Sequence, residues 1–519
     1  VPAYRVLPYS PDVLAQLLVE KSSAPSGVEG KAHIAYLQGY LSRLGVRTVL
    51  VEKEYIDKHY LEDYVGYYAR CFVDYGRKCA RLHFFDSAFT EADFAGMLKK
   101  KIADPPELRG HYAGFIVVKP LPTTVIGRTC LKTCAEPEGE PHFPANHAYS
   151  VNVFGYDLTV TSLAFQEQDS DVAACATSAL WSAFQATGRR FQHEIPSPVS
   201  ITRTASTAVR LRNRTLPNHD GLTAEQIADA IRAVGLEPHA IRVGQRTVEA
   251  NGNITHTCDV DLFRTAAHAY LSAGIPSLAC GALTRRDSGK EIGLHAMTIV
   301  GSLHEGPPVA PGQGMVLRAA GIGRLYTHDD GVGPFARLRF TAGSDIIATS
   351  WVDPEDRQPD KIQFVPYLLI VPTYHKIRVP FAMIRSDLEQ LDRLLDGSRT
   401  KIPGMTGRGE WDITLTEAGT LKRNLFAAPA CRFDRDILKA SLPKYIWSCD
   451  FHVDNAVKAR FLFDATDILQ GNHFVAALCY DDAIGAAVAG LRQSFSDAIE
   501  KQQNAATRSV LDWFVRSYP

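Results

Sequence analysis

Apolar positions along this chain change period repeatedly, and the changes mark out its elements. Val172, Cys175, Ala176, Ala179, Leu180, Ala183 and Phe184 recur at helical spacing, which predicts a helix just after a polar turn. Gln168, Asp169, Ser170 and Asp171 form that turn, from residue types that supply cap and turn chemistry. A second helix opens at Thr223 with Gln226 completing a capping box, and Gly235 ends it. A third spans 259–273 and stops at Gly274. The period then shortens, and 275–283, 293–301 and 323–328 read as strands. Ahead of this block lie a strand at 46–51, a long aromatic-rich helical stretch over 60–79, and strands at 112–119, 149–155 and 158–165. Beyond it come strand 364–371, helix 382–395, strands 411–415, 459–463 and 474–480, and a terminal helix over 504–518.

This alternation predicts an α+β protein. Its length of 519 residues favours about three domains, and the pattern divides into 1–155, 156–343 and 344–519. The outer two read as α+β regions with surfaces for possible partner proteins. A net charge of −1 gives no electrostatic pull toward nucleic acid, and the basic run at 210–214 reads as a solvated face. The longest apolar stretch, 364–372, is interrupted by proline and far shorter than a membrane span, so no membrane association is expected. The opening residues carry no signal-peptide pattern, and ten scattered cysteines form no disulfide framework, which points to a reducing cytoplasm. Residues 306–314, with three prolines, read as a surface insertion. Neither phosphate-binding glycine motif occurs, and no cofactor is expected.

The chemistry concentrates at Cys175. A thiol in a first helical turn faces unpaired N–H groups and the positive end of the macrodipole, which favours thiolate. His295 enters the strand at 293–301, and Asp329 and Asp330 follow the strand at 323–328. A cysteine on a helix, a histidine on a strand and a carboxylate at the end of the next strand are the parts of a thiol-based acyl-transfer site. Asp329 is the preferred carboxylate because it comes first, although spacing alone does not separate it from Asp330. His328 falls on the opposite face of its strand from Asp329, which favours His295 as the base.

These residues resemble the papain-like cysteine peptidases, including those that process double-glycine leader peptides. The resemblance rests on Gln168, the Ala-Cys175-Ala turn leading to Trp181, the strand from His295 to Gly301, and Asp329 or Asp330. It covers roughly 160–340 and implies a papain-like core of nucleophile helix on antiparallel sheet. It implies that Cys175 attacks a carbonyl while His295 acts as base and then acid. Asp329 would orient the imidazole, and Gln168 would supply a side-chain amide to the oxyanion hole. Gln166 is the weaker candidate for that amide. The family's glycine-bearing cysteine signature is absent, and Gln168 stands one residue further from Cys175 than is usual in the family. The expected activity is cleavage of a protein or peptide substrate. An acyltransferase or transpeptidase would share the acylation half, and a non-catalytic protein-binding module would keep the scaffold alone. Cys130, Cys134, His142 and His147 could in principle ligate zinc, but their spacer is short and contains a mobile-looking acidic loop, so no metal site is expected.

Overall fold

The structure is a computed structural model. It describes the chain except residues 1–2, 23–26, 29, 170, 207–215, 217–220, 251, 307–313, 342–346, 350–360, 398, 400–401, 403–404, 406, 429–430, 432, 470, 495–503 and 519. The basic run at 210–214 and most of the insertion at 306–314 lie outside the described residues. The fold is α+β, with sheets that are predominantly antiparallel.

The chain divides into two compact units where the sequence predicts three regions. The first unit takes 1–259, 274–303 and 324–372; the second takes 260–273, 304–323 and 373–519. The boundaries at 155 and 343 therefore do not separate compact bodies. Apolar patterning locates strands, whereas these units are set by which distant strands pair.

In the first unit, Tyr4–Pro8, Thr48–Tyr55, Cys79–Phe85, Tyr112–Val118 and Ile126–Leu131 form one antiparallel sheet in chain order. Cys79–Phe85 and Tyr112–Val118 are buried at every position, as strands covered on both faces must be. Gly114 lies in this sheet at φ +125°, where an added Cβ would stand 2.1 Å from the Cys130 carbonyl oxygen. The predicted helix over 60–79 is shorter, ending at Gly66 and followed by a single 3₁₀ turn, Tyr68–Arg70. Cys79 instead opens a strand.

The second sheet of this unit is closed. Ser277–Arg285, Glu291–His304, Ile322–Asp329, Gly333–Phe340, Ile347–Thr349 and Ile362–Tyr374 follow one another, and the last pairs back onto the first. That pairing closes these six strands on themselves, and Leu236–Arg242 joins the last of them as a seventh. The closing strand lies beyond 343, so the expected middle region could not have closed its own sheet. Cys175–Phe191 is a helix buried on nearly every side, and Thr298 Oγ1 donates to its Ala179 carbonyl at 2.7 Å, fixing helix to sheet.

The second unit holds another five-stranded sheet: Val316–Leu317, Glu410–Glu417, Tyr445–Val453, Ala456–Asp464 and Phe474–Cys479. Its core contains Trp411 and Trp447. The Trp411 indole donates to Asp392 at 2.8 Å, and that of Trp447 donates to the Val379 carbonyl at 2.9 Å. No helix among the described residues is long and apolar enough to cross a membrane.

Candidate active site

Cys175 is the first residue of its helix, and the residue before it, Ala174, offers no side-chain cap. The first-turn N–H groups are thus left without a capping side chain, and the thiol sits at the positive end of a 17-residue dipole. The acidic turn that looked like a cap serves the loop instead. Asp169 Oδ1 accepts from the Asp171 N–H at 3.0 Å, and Asp169 and Ala173 exchange backbone hydrogen bonds. Asp169 Oδ2 accepts from the Tyr68 hydroxyl at 2.5 Å, and Lys119 Nζ stands 3.8 Å away.

His295 lies on Glu291–His304 opposite Gly281. Its Nε2–H donates to Asp329 Oδ1 at 2.9 Å. The Cys175 thiol lies near enough to the ring for its hydrogen-bonding to raise the imidazole pKa. Burial alone would lower the imidazole pKa. The Asp329 charge and hydrogen bond, the Cys175 hydrogen bond and the Asp330 charge together raise it well above the ordinary value. The structure thus brings Cys175, His295 and Asp329 into one hydrogen-bonded series.

Asp329 Oδ1 also accepts from the Gly331 N–H at 3.0 Å, which fixes the carboxylate from behind. Asp329 is the last residue of its strand rather than the first beyond it. A register irregularity between Thr327 and Asp329 marks this strand end. Asp330 is a different case. Its Oδ1 lies 3.9 Å from His295 Nε2, and neither carboxylate oxygen has a hydrogen-bond partner although the residue is only 3% exposed. Burial pushes its carboxyl up to about 7, with His295 opposing and Asp329 adding. Its backbone carbonyl accepts from His33 Nε2 at 2.6 Å.

His328 is not part of the series. Its Nδ1 accepts from the Phe335 N–H at 3.2 Å, so Nε2 carries the proton and donates to the Leu163 carbonyl at 2.9 Å. Gln168 is exposed and Gln166 is buried, and neither side chain has a hydrogen-bond partner among the described residues. The four residues weighed for zinc do not converge. Cys130 is buried on its strand, Cys134 lies beside Tyr40, His142 bridges to the Ser302 backbone, and His147 packs on Tyr149.

Sequence reasoning missed the residues that hold the site from the N-terminal sheet. Glu167 pairs with Lys31 and accepts from the Ile126 N–H, and Trp181 Nε1 donates to His59 Nδ1 at 2.7 Å. A charged Glu167 beside a turn offered a local signal, but its partner lies 136 residues away. No protein-family model matches the chain, and no curated protein is similar to it.

Proposed function

We propose that this protein is a thiol-dependent hydrolase acting on a protein or peptide, built on a papain-like core. The observation that carries the reading is the placement of His295, one nitrogen on Asp329 and its ring close to the Cys175 thiol. In this reading the imidazole takes the thiol proton and the thiolate attacks a substrate carbonyl. The resulting imidazolium then protonates the leaving amine, and water resolves the thioester through the same base. Asp329 holds the ring in the tautomer that this cycle needs. The Cys175 N–H at the uncapped helix start donates to the oxyanion. Gln168, with an exposed and unengaged amide, supplies the second donor. The helix packed on a closed antiparallel sheet supports the papain-like assignment.

The test is alkylation of the intact protein by iodoacetamide at pH 6, read cysteine by cysteine by peptide mass spectrometry. Cys175 should react faster than the other nine, and His295→Ala should abolish the difference. Incubation with a proteome-derived peptide library should then give cleavage products that Cys175→Ala lacks. Uniform reactivity across the ten cysteines would remove the proposal.

A further inference from the structure

A buried carboxylate with no hydrogen bond is costly, because water's hydrogen bonds have been surrendered with nothing in exchange. Asp330 is such a group, and both of its oxygens are orphaned. It is not remote from other donors. His295 Nε2, an Asp329 oxygen and an Asp330 oxygen all lie within 4.8 Å of one another, and all three residues are buried. One nitrogen and two carboxylate oxygens make a donor set suited to zinc, leaving a fourth position open.

The spacing fits as well. Tetrahedral zinc, with bonds of about 2.0–2.1 Å, sets its donor atoms roughly 3.3 Å apart. Here Nε2 stands 2.9 Å from Asp329 Oδ1 and 3.9 Å from Asp330 Oδ1. Those two distances straddle the requirement, and the third side of the triangle, between the two carboxylates, is within 4.8 Å, so the donors must draw together to seat the ion. The charges balance, since two carboxylates meet a dication beside a neutral imidazole. The Gly331 N–H on Asp329 and the His33 ring on the Asp330 carbonyl hold the two carboxylate-bearing residues in place, as outer partners of metal ligands do.

We propose that His295, Asp329 and Asp330 form a binding site for a divalent cation of zinc's class, and that occupancy switches off Cys175. The ion replaces the proton on Nε2, which passes to Nδ1 of the neutral ring, so the imidazole can no longer serve as the base that takes the thiol proton. Metal binding itself does not depend on the peptidase reading; only its inhibitory consequence does.

The experiment is calorimetric titration of the full chain with zinc chloride in the Cys175→Ala background, which removes the thiol as a ligand. One equivalent should bind, and adding Asp330→Asn should weaken it at least tenfold. Cobalt(II) added to the wild type should give visible ligand-field bands without a thiolate charge-transfer band. Absence of binding in Cys175→Ala, unchanged affinity in the Asp330→Asn protein, or a strong thiolate band would overturn the proposal. Melting curves check that the Asp330→Asn protein is folded. If it is not, His295→Gln takes its place, and zinc binding retained there refutes the site. If zinc binds as described and no peptide is cleaved, the hydrolase reading fails while the metal site stands.

Discussion

Asp329→Asn separates the charge at the site from its geometry. Asp329 Oδ1 accepts from both His295 Nε2 and the Gly331 N–H, so an asparagine carbonyl in that position can keep both bonds. What disappears is the negative charge 2.9 Å from the imidazole. At an effective dielectric of about 20, a charge pair at that distance is worth roughly 6 kcal/mol before the cost of desolvation. The lower bound is the difference between a charge-assisted and a neutral hydrogen bond, about 1 kcal/mol. The expected loss therefore runs from about fivefold to about ten-thousandfold, since each 1.36 kcal/mol is a factor of ten. Asp330, 3.9 Å from the ring, has its carboxyl pushed up to about 7 by burial and is mostly neutral at pH 6, so it does not replace the lost charge. The assay is the second-order rate of Cys175 alkylation at pH 6, which needs no knowledge of the substrate. Asp329→Ala should lose more, because it also strands the Gly331 N–H. A folded Asp329→Asn protein that alkylates at the wild-type rate would show that Asp329 does not activate the site through His295.

Other perturbations test the supports. Tyr68→Phe leaves the buried Asp169 with only its loop contacts and the more distant Lys119; it should cost about 1–3 kcal/mol by denaturant melt and slow Cys175 alkylation. Unchanged stability would mean that the turn needs no tie to Tyr68. His83, fully buried, has its pKa lowered to about 4, chiefly by burial. The folded state therefore binds fewer protons than the unfolded state between about 4 and 6.5, and stability falls as pH drops through that window, by up to about 3 kcal/mol for this one group. His83→Gln should flatten the pH dependence of melting by that amount, and an equally steep profile would contradict the assignment. Gly114→Ala forces a Cβ against the Cys130 carbonyl and should cost about 3 kcal/mol, read as a lower melting midpoint with the denaturant slope preserved. A midpoint within error of the wild type would refute the close approach.

Short-range patterning was legible wherever one side chain's surroundings come from its own element. The Cys175 helix, the His295 strand and the strand ending at Asp329 all lie within a few residues of their predicted positions. The helix over 60–79 was overextended for a physical reason. Tyr68 turns inward to give its hydroxyl to Asp169, a partner 101 residues away that no local period can announce. The two-unit division was hidden in the same way, since Leu278 pairs with Ile370 across a long chain separation. Neighbouring Asp329 and Asp330 look alike in sequence. In the structure the carboxylate of the former accepts from His295 and Gly331, whereas neither oxygen of the latter has a hydrogen-bond partner.

The first 155 residues read from sequence as a module ahead of the site, and their contacts argue otherwise. Phe165 and Thr129 exchange backbone hydrogen bonds, Ile126 donates to Glu167, and Lys31 pairs with the same carboxylate. Tyr68 fixes Asp169, His59 receives the Trp181 indole, and His33 holds the carbonyl of Asp330. These ties fall on both sides of the reacting pair: on the turn and helix that carry Cys175, and on the strand end that carries the acids. A reacting constellation works only when its members stay within about half an ångström of their productive positions. A turn such as 166–174, with little regular structure of its own, does not reach that tolerance alone. The N-terminal sheet and helices supply it, through buried charge pairs and hydrogen bonds that cost more to break than exposed ones. Under the proposed reading, loosening these N-terminal ties should therefore slow Cys175 alkylation, as removing His295 should.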